Sequence, residues 1–364
     1  MERGILKSHS YPEISGNEPS KYGFSIVSYV MQTVRKKWWR VISITVIVTL
    51  LIIVTWLGRP EFKAEQMEYG VTFSAPNAEW VVGNWKEAYE ATLVDLGVKR
   101  LRLSAYWNII EPADGKFDFS GLDYQMDRAA EEGAQVILSI GRKLPRWPEC
   151  HTPDWAVGWP EEQQQARVMK MLVIVIERYQ EHPALRMWQL ENEPLLDFGG
   201  CPPEDRRFLA EEERLVRTLD DQHPILITDS GELNWWLDAA KYGDILGTTM
   251  YRTVHSTRTN RLFSYDYIFP SWLYRAKARL VNLVEGKDII ISELQGEPWG
   301  SGAYIYLSEQ ERGESFSLDR FIELQKFAER TQLNEAYWWG VEYWYWEKVK
   351  NNNPAYWNFA KTLF

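Results

Sequence analysis

The chain has 364 residues, 45% hydrophobic and 25% charged, a globular composition with material for a sizeable core, which excludes a disordered chain, a collagen and a disulfide-scaffolded mini-protein. The net charge of -10 is unevenly divided: residues 1–57 hold seven basic side chains against three acidic ones, a net of +4, so the remainder carries -14. An acidic body excludes nucleic acid as a partner, because that affinity comes from Lys and Arg neutralising phosphates.

From Trp38 to Leu57 the chain reads WWRVISITVIVTLLIIVTWL, with Arg40 as the single charge near its edge. Twenty helical residues span about 30 Å, the thickness of a bilayer core. Trp38, Trp39 and Trp56 sit where interfacial aromatics belong. Arg35, Lys36, Lys37 and Arg40 lie before or at the start of the span, whereas Arg59 and Lys63 behind it are interleaved with Glu61 and Glu65. The positive-inside tendency then predicts a single-pass signal anchor over 38–57, a cytoplasmic tail over 1–37 that is loosely ordered over 1–34, a linker over 58–66 and an extracytoplasmic body. A cleaved signal peptide is disfavoured by the long basic region before the span and by the lack of an A-x-A-like site after Leu57. Cys150 and Cys201 both fall in the outer body, where an oxidising compartment allows a disulfide; two free thiols are the alternative. No asparagine after the anchor starts an N-x-[ST] sequon, which favours a bacterial periplasmic or extracellular face over a eukaryotic lumen.

Apolar strands alternate with helical stretches over 67–364. The expected strands are 69–73, 98–104, 135–140, 185–191, 225–228, 245–250, 288–293 and 335–341. Helices are expected over 121–132, entered through Ser120 with Asp123 as a capping box, and over 167–179, where Val168, Met171, Leu172, Val175 and Tyr179 repeat at i, i+3, i+4 and i+7. Stretches 208–219 and 321–333 follow the same period, and 354–363 makes a short last helix. Eight strand-then-helix units in about 300 residues predict an α/β fold, the (β/α)8 TIM barrel. A doubly wound open sheet would need a G-x-G-x-x-G turn after the first strand, where the chain reads FSAPNAEW.

Barrel sites lie at the C-terminal ends of the strands. The fourth strand ends in Asn192-Glu193-Pro194, and the shared parity of Met187, Gln189, Glu191 and Glu193 predicts that Glu193 projects over the barrel mouth. The seventh ends with Glu293 in ISELQGEPW. Two strand-end glutamates on one rim are what glycoside cleavage needs: an acid to protonate the leaving oxygen and a carboxylate to attack or to activate water.

With Asn192-Glu193-Pro194 on strand four and Ile-Ser-Glu293 on strand seven, the segment 67–364 resembles the clan A retaining glycoside hydrolases. The resemblance implies Glu193 as acid/base, Asn192 as the partner of a sugar 2-hydroxyl and Glu293 as the nucleophile that forms a glycosyl-enzyme, with the carboxyls roughly 5 to 5.5 Å apart. Strand two, RLRLSAYWNIIEPADGKFDF, is similar to cellulase-like and family 42 members. Arg102 on it points inward by parity and needs a carboxylate partner, for which Glu293 is the candidate. Tyr251 matches the clan's strand-six tyrosine beside the nucleophile, and GVEYWYW offers Trp344 as a sugar platform, with Trp346 and Trp339 as alternatives. Family 5 cellulases usually carry a histidine at the end of strand three; here Gly141-Arg142 stands there, while P-x-W and H-x-P-D-W look more like family 42 or family 35 galactosidases.

Glu297 is the rival nucleophile. His151, His255, Glu111 and Asp154 are loop residues that either meet substrate or are ordinary polar positions, while His182 and His223 belong to the stability face. No H-E-x-x-H or Cys/His ligand spacing occurs, so no catalytic metal and no cofactor is expected. The 14% aromatic content, 19 of it tryptophan, predicts a ring of sugar-stacking subsites: Trp107, Trp147, Trp155, Trp159, Trp299, Trp344 and Trp346 all fall near strand ends or rim loops. The expectation is a membrane-anchored glycoside hydrolase acting on a β-linked oligo- or polysaccharide; a transglycosylase of the same mechanism and an inactive carbohydrate-binding barrel are the alternatives.

Overall fold

The structure, a computed structural model, describes residues 21–60 and 66–364, and for residues 21–28 the backbone alone. The chain divides into two units between Trp56 and Leu57. The first contains one helix, Lys21–Gly58, whose stretch Tyr29–Gly58 has a mean hydropathy of 2.6 and is long and apolar enough to cross a membrane. Its apolar side chains stand exposed, Ile44 and Ile52 at 61% each. The expectation of a loose tail is corrected from residue 21 onward. Val30, Met31 and Val34 keep a helical spacing, and extending a formed helix costs far less than nucleating one. The earlier part of that tail, residues 1–20, and residues 61–65 of the expected linker lie outside the described residues.

The second unit is the barrel. In chain order its strands are β1 (Glu68–Thr72), β2 (Arg100–Ser104), β3 (Gln135–Ile140), β4 (Leu185–Leu190), β5 (Ile225–Asp229) and β6 (Ile245–Met250). An antiparallel hairpin follows, β7 (Thr253–Ser256) with β8 (Arg261–Ser264), and then β9 (Asp288–Gln295) and β10 (Glu335–Trp339). The eight strands other than the hairpin are parallel and closed, with β6 beside β9 and β10 sealing against β1. Such strands are buried on both faces and read as apolar runs, as QVILSI and DIIISELQ do. Ile137, Met187, Leu226, Ile290 and Tyr337 form the inner cluster of the barrel. A larger core packs strands against helices, and Val168, Met171, Leu172 and Val175 enter it from one face of Glu161–Tyr179.

Helix starts are where the structure departs from the sequence pattern. Helix Ser120–Glu131 takes no capping bond from Ser120; instead Asp118 Oδ1 accepts the Ser120 N–H at 2.9 Å. The helices reach earlier than their apolar faces, to Glu161, Arg206 and Leu318, because polar first turns carry no hydrophobic signal. Asp205 caps Arg206–Leu219, accepting from the N–H groups of Arg207 and Phe208 at 3.0 Å each. The last barrel strand is shorter than expected. Gly340 at φ 120° ends β10, and Val341–Lys350 is helical, so Tyr343, Trp344, Tyr345 and Trp346 sit on a buried helix.

Cys150 and Cys201 form a disulfide that ties the loop after β3 to the loop after β4. With the two cysteines 51 positions apart in sequence, loop-closure entropy assigns the bond about 4 kcal/mol. Replacing both cysteines by serine is therefore expected to lower unfolding stability by about that amount, read as a lower denaturant midpoint, with a steeper slope because the unfolded chain without the cross-link exposes more surface. A midpoint that does not move would mean that other contacts hold the two loops together.

Candidate active site

The site is assembled around one buried cation. Arg102, on β2, is fully buried beneath the barrel mouth. Its guanidinium donates to Glu293 Oε1 at 2.8 Å, Gln189 Oε1 at 2.6 Å, Asn192 Oδ1 at 2.8 Å and Thr72 Oγ1 at 3.4 Å. A planar group with five donors can serve β1, β4 and β9 at once, which lysine cannot. Sequence parity finds this pair because β2 is regular.

Glu293 is clamped at both oxygens. Oε1 takes Arg102, and Oε2 accepts the Tyr251 hydroxyl at 2.6 Å. Tyr251 itself is packed edge-on against Trp299, with ring centroids 4.9 Å apart. A shift of register between β6 and β9 sets Thr249 opposite Glu293. The same Thr249 donates to Glu193 Oε1 at 3.2 Å, so one threonine touches the acid from β4 and faces the acid from β9.

Glu193 reaches the cleft by a different route from the one parity suggests. β4 stops at Leu190, and Glu191 and Glu193 take positive φ values of 54° and 43°. Glu191 turns away from the barrel mouth and accepts the N–H groups of Arg142 and Lys143 at 2.7 and 2.5 Å. A Cβ at Gly141 would collide with that carboxylate, and with φ at 122° the position requires glycine. Glu193 is pinned by its own N–H to Thr228 Oγ1 at 2.8 Å, while Lys143 Nζ donates to its carbonyl at 3.0 Å. Burial, and then the charges of Glu293 and Glu149, push the Glu193 carboxyl well above the usual carboxylate range.

Above them the barrel mouth opens into a cleft of about 880 Å³. Asn192, Glu193, Tyr251, Glu293 and Trp299 all contribute to it. Trp107 and Trp344 do not, which corrects two expected substrate contacts. Trp107 is fully buried and donates to Glu111 Oε2 at 2.8 Å; Trp344 is fully buried and donates to the Gly296 carbonyl at 2.6 Å. Of the seven tryptophans expected around the mouth, Trp147 and Trp299 line the cleft, and Trp80 and Trp339 join them. Trp107, Trp155 and Trp159 pack on one another instead. Trp346 is buried against Tyr304 and Tyr343.

Glu297 lines the cleft but is committed to Arg146 and to Trp339 Nε1, the latter at 2.8 Å. Glu111 is buried with Arg167, neither solvated nor in the cleft, and Asp154 is exposed outside it. His151 and His255 both reach the wall; burial lowers His151 to about 4, so it is neutral at pH 7. Cys150 and Cys201 close the adjoining loops.

Three charged cleft residues stand outside the expected set. Arg146 lies over Trp339, its guanidinium carbon 4.2 Å from the ring centroid. Glu232, from the loop after β5, accepts the Tyr274 hydroxyl at 2.6 Å and the Tyr251 N–H at 3.1 Å, and burial raises it to about 7. Glu149 accepts the Asn192 side-chain N–H at 3.0 Å, and burial followed by the charge of Glu293 raises it to about 8. Their signal was weak, because all three lie in irregular loops, and Arg146 and Glu149 adopt positive φ that no periodicity announces.

A glycoside hydrolase family 42 model, described as beta-galactosidase, matches residues 76–167. The chain is 30% identical over 168 residues to beta-galactosidase BgaB of Geobacillus sp. (strain Y412MC61), a match covering 40% of this chain and 25% of the relative. It is 30% identical over 157 residues to beta-galactosidase LacZ of Heyndrickxia coagulans, covering 38% and 23%. The chain thus spans about a quarter of the length of these relatives. Among solved structures, a GH5_18 protein of Bifidobacterium longum subsp. longum superposes with a TM-score of 0.54 at 15% identity, covering 76% of this chain and 70% of that one. Xylanase 10B of Thermotoga maritima gives 0.53 at 15%, covering 82% and 95%. The matched segment is thus similar to family 42 glycoside hydrolases, and the solved glycoside hydrolases share the barrel fold.

Proposed function

We propose that the chain is a retaining glycoside hydrolase for a β-linked oligo- or polysaccharide, with Glu293 as nucleophile and Glu193 as acid/base. The observation that carries this reading is the contrast between the two carboxyls. Glu293 is held at both oxygens by a guanidinium and a phenol, while Glu193 faces the same cleft with its proton retained by burial and by the negative charge near it. In the first step Glu193 gives its proton to the departing oxygen while Glu293 attacks the anomeric carbon. In the second, Glu193 takes a proton from the incoming water and the Glu293 ester is released. The names of the β-galactosidase relatives support the β linkage.

The proposal includes a location. A helix near the N-terminus that can cross a membrane, four basic residues from Arg35 to Arg40 and a disulfide in the barrel support a single anchor with the barrel outside the cytoplasm.

Glu293→Gln is expected to lower turnover of an activated aryl glycoside by roughly 10⁴-fold or more; wild-type turnover by that variant would overturn the assignment. Glu193 must be protonated for the first step, so kcat/KM should fall as pH rises and its proton is lost. In Glu193→Ala that alkaline limb should vanish, deglycosylation should slow by about 10²–10⁴-fold, and azide should restore turnover; a retained limb would assign the acid elsewhere. Expressed in bacteria, the full chain should stay in membranes after alkaline carbonate extraction, with the barrel cleaved by protease added to the periplasmic side. Release on extraction would refute the anchor.

A further inference from the structure

Glu149 is a third carboxyl in the cleft, and the two-step reaction does not use it. It is 8% exposed, lines the cleft, and sits at φ 72° immediately before Cys150. Its Cβ packs where Gly199 has no side chain, and Gly200 N–H donates to the Pro148 carbonyl at 2.9 Å, so the disulfide-linked loops hold it from both sides. Burial and then the charge of Glu293 raise its carboxyl to about 8, so without a partner of opposite charge it keeps its proton near neutral pH.

The described protein supplies little compensation. Arg102 is engaged by Glu293, Gln189 and Asn192, and Lys143 Nζ donates to the carbonyls of Glu193 and Leu196. Arg146 pairs with Glu297 and Glu342. The one side-chain bond to Glu149 comes from the neutral Asn192 amide. Around it the cleft wall carries Glu193, Glu232, Glu293 and Glu297. A cation entering this space would draw Glu149 into its charged form, and substrate is what enters it.

Its position on the sugar follows from the same bonds. Asn192 Oδ1 and Glu293 Oε1 share the Arg102 guanidinium, so the Asn192 amide stands beside the attacking carboxylate. The neighbours of the anomeric carbon are the ring oxygen, which donates nothing, and the next ring carbon, which bears a substituent.

On the reading of Glu293 and Glu193 as the catalytic pair, we infer that Glu149 receives a protonated amine on the ring carbon next to the reacting one, making the preferred substrate an amino sugar with a free amine.

The test compares the full chain in detergent on 4-nitrophenyl β-glucosaminide and β-galactosaminide, their neutral counterparts and their N-acetyl counterparts. The free-amine substrates should exceed both other sets in kcat/KM by roughly tenfold to a hundredfold, the range of one charge-assisted hydrogen bond. In Glu149→Gln the ratio of amine to neutral substrate should collapse by that same factor. If that variant does not fold, Glu149→Asp, which draws the charge back by one methylene, should lower the ratio. A wild-type preference for neutral or N-acetyl sugars, or a ratio that survives substitution of Glu149, overturns the inference and leaves the hydrolase reading intact. Failure to turn over any of the glycosides sinks the hydrolase reading as well.

Discussion

The barrel mouth is organised by a positive charge taken out of water. Removing the Arg102 guanidinium from solvent is worthwhile only if its donors are matched, and they are matched by groups from three other strands or their ends. Each of those groups is in turn fixed: Gln189 donates to the Glu191 carbonyl at 2.8 Å, Asn192 meets Glu149, and Glu293 meets Tyr251. Removing the cation would leave Glu293 buried and uncompensated, and breaking a buried pair from one side costs about 3–5 kcal/mol.

That cation also separates the behaviour of carboxyls crowded into one cleft. Glu293 has the guanidinium and the phenol, whereas Glu193 has a threonine hydroxyl and the negative field of its neighbours. Two glutamates of identical chemistry thereby sit in different surroundings. The distinction is electrostatic and short-ranged, and it depends on which of them the arginine can touch.

The strands were legible because a parallel barrel buries both faces of each one, so their apolar runs stand out between polar loops. Arg102 and Glu293 were legible for a related reason: both lie in regular β structure, where a period of two says which way a side chain points. The same argument named Glu193 correctly as a cleft residue but misjudged its path, because the chain leaves β geometry at Glu191. Trp344 was misplaced for the same kind of reason. Gly340 turns the chain into a helix, so a residue read as strand-end lies in the core instead.

Sequence alone determined the alternation of eight strands and their helices, the apolar N-terminal helix, the cation beneath the barrel mouth and the two strand-end glutamates, since each is written in periodicity, hydropathy or local motif. Tertiary structure decided which tryptophans line the cleft, that Cys150 meets Cys201, and that Glu149, Glu232 and Arg146 share a wall with Glu193 and Glu293. Those residues come from loops far apart in the chain, and their meeting depends on barrel closure and on positive-φ turns, neither of which leaves a periodic trace in the order of amino acids.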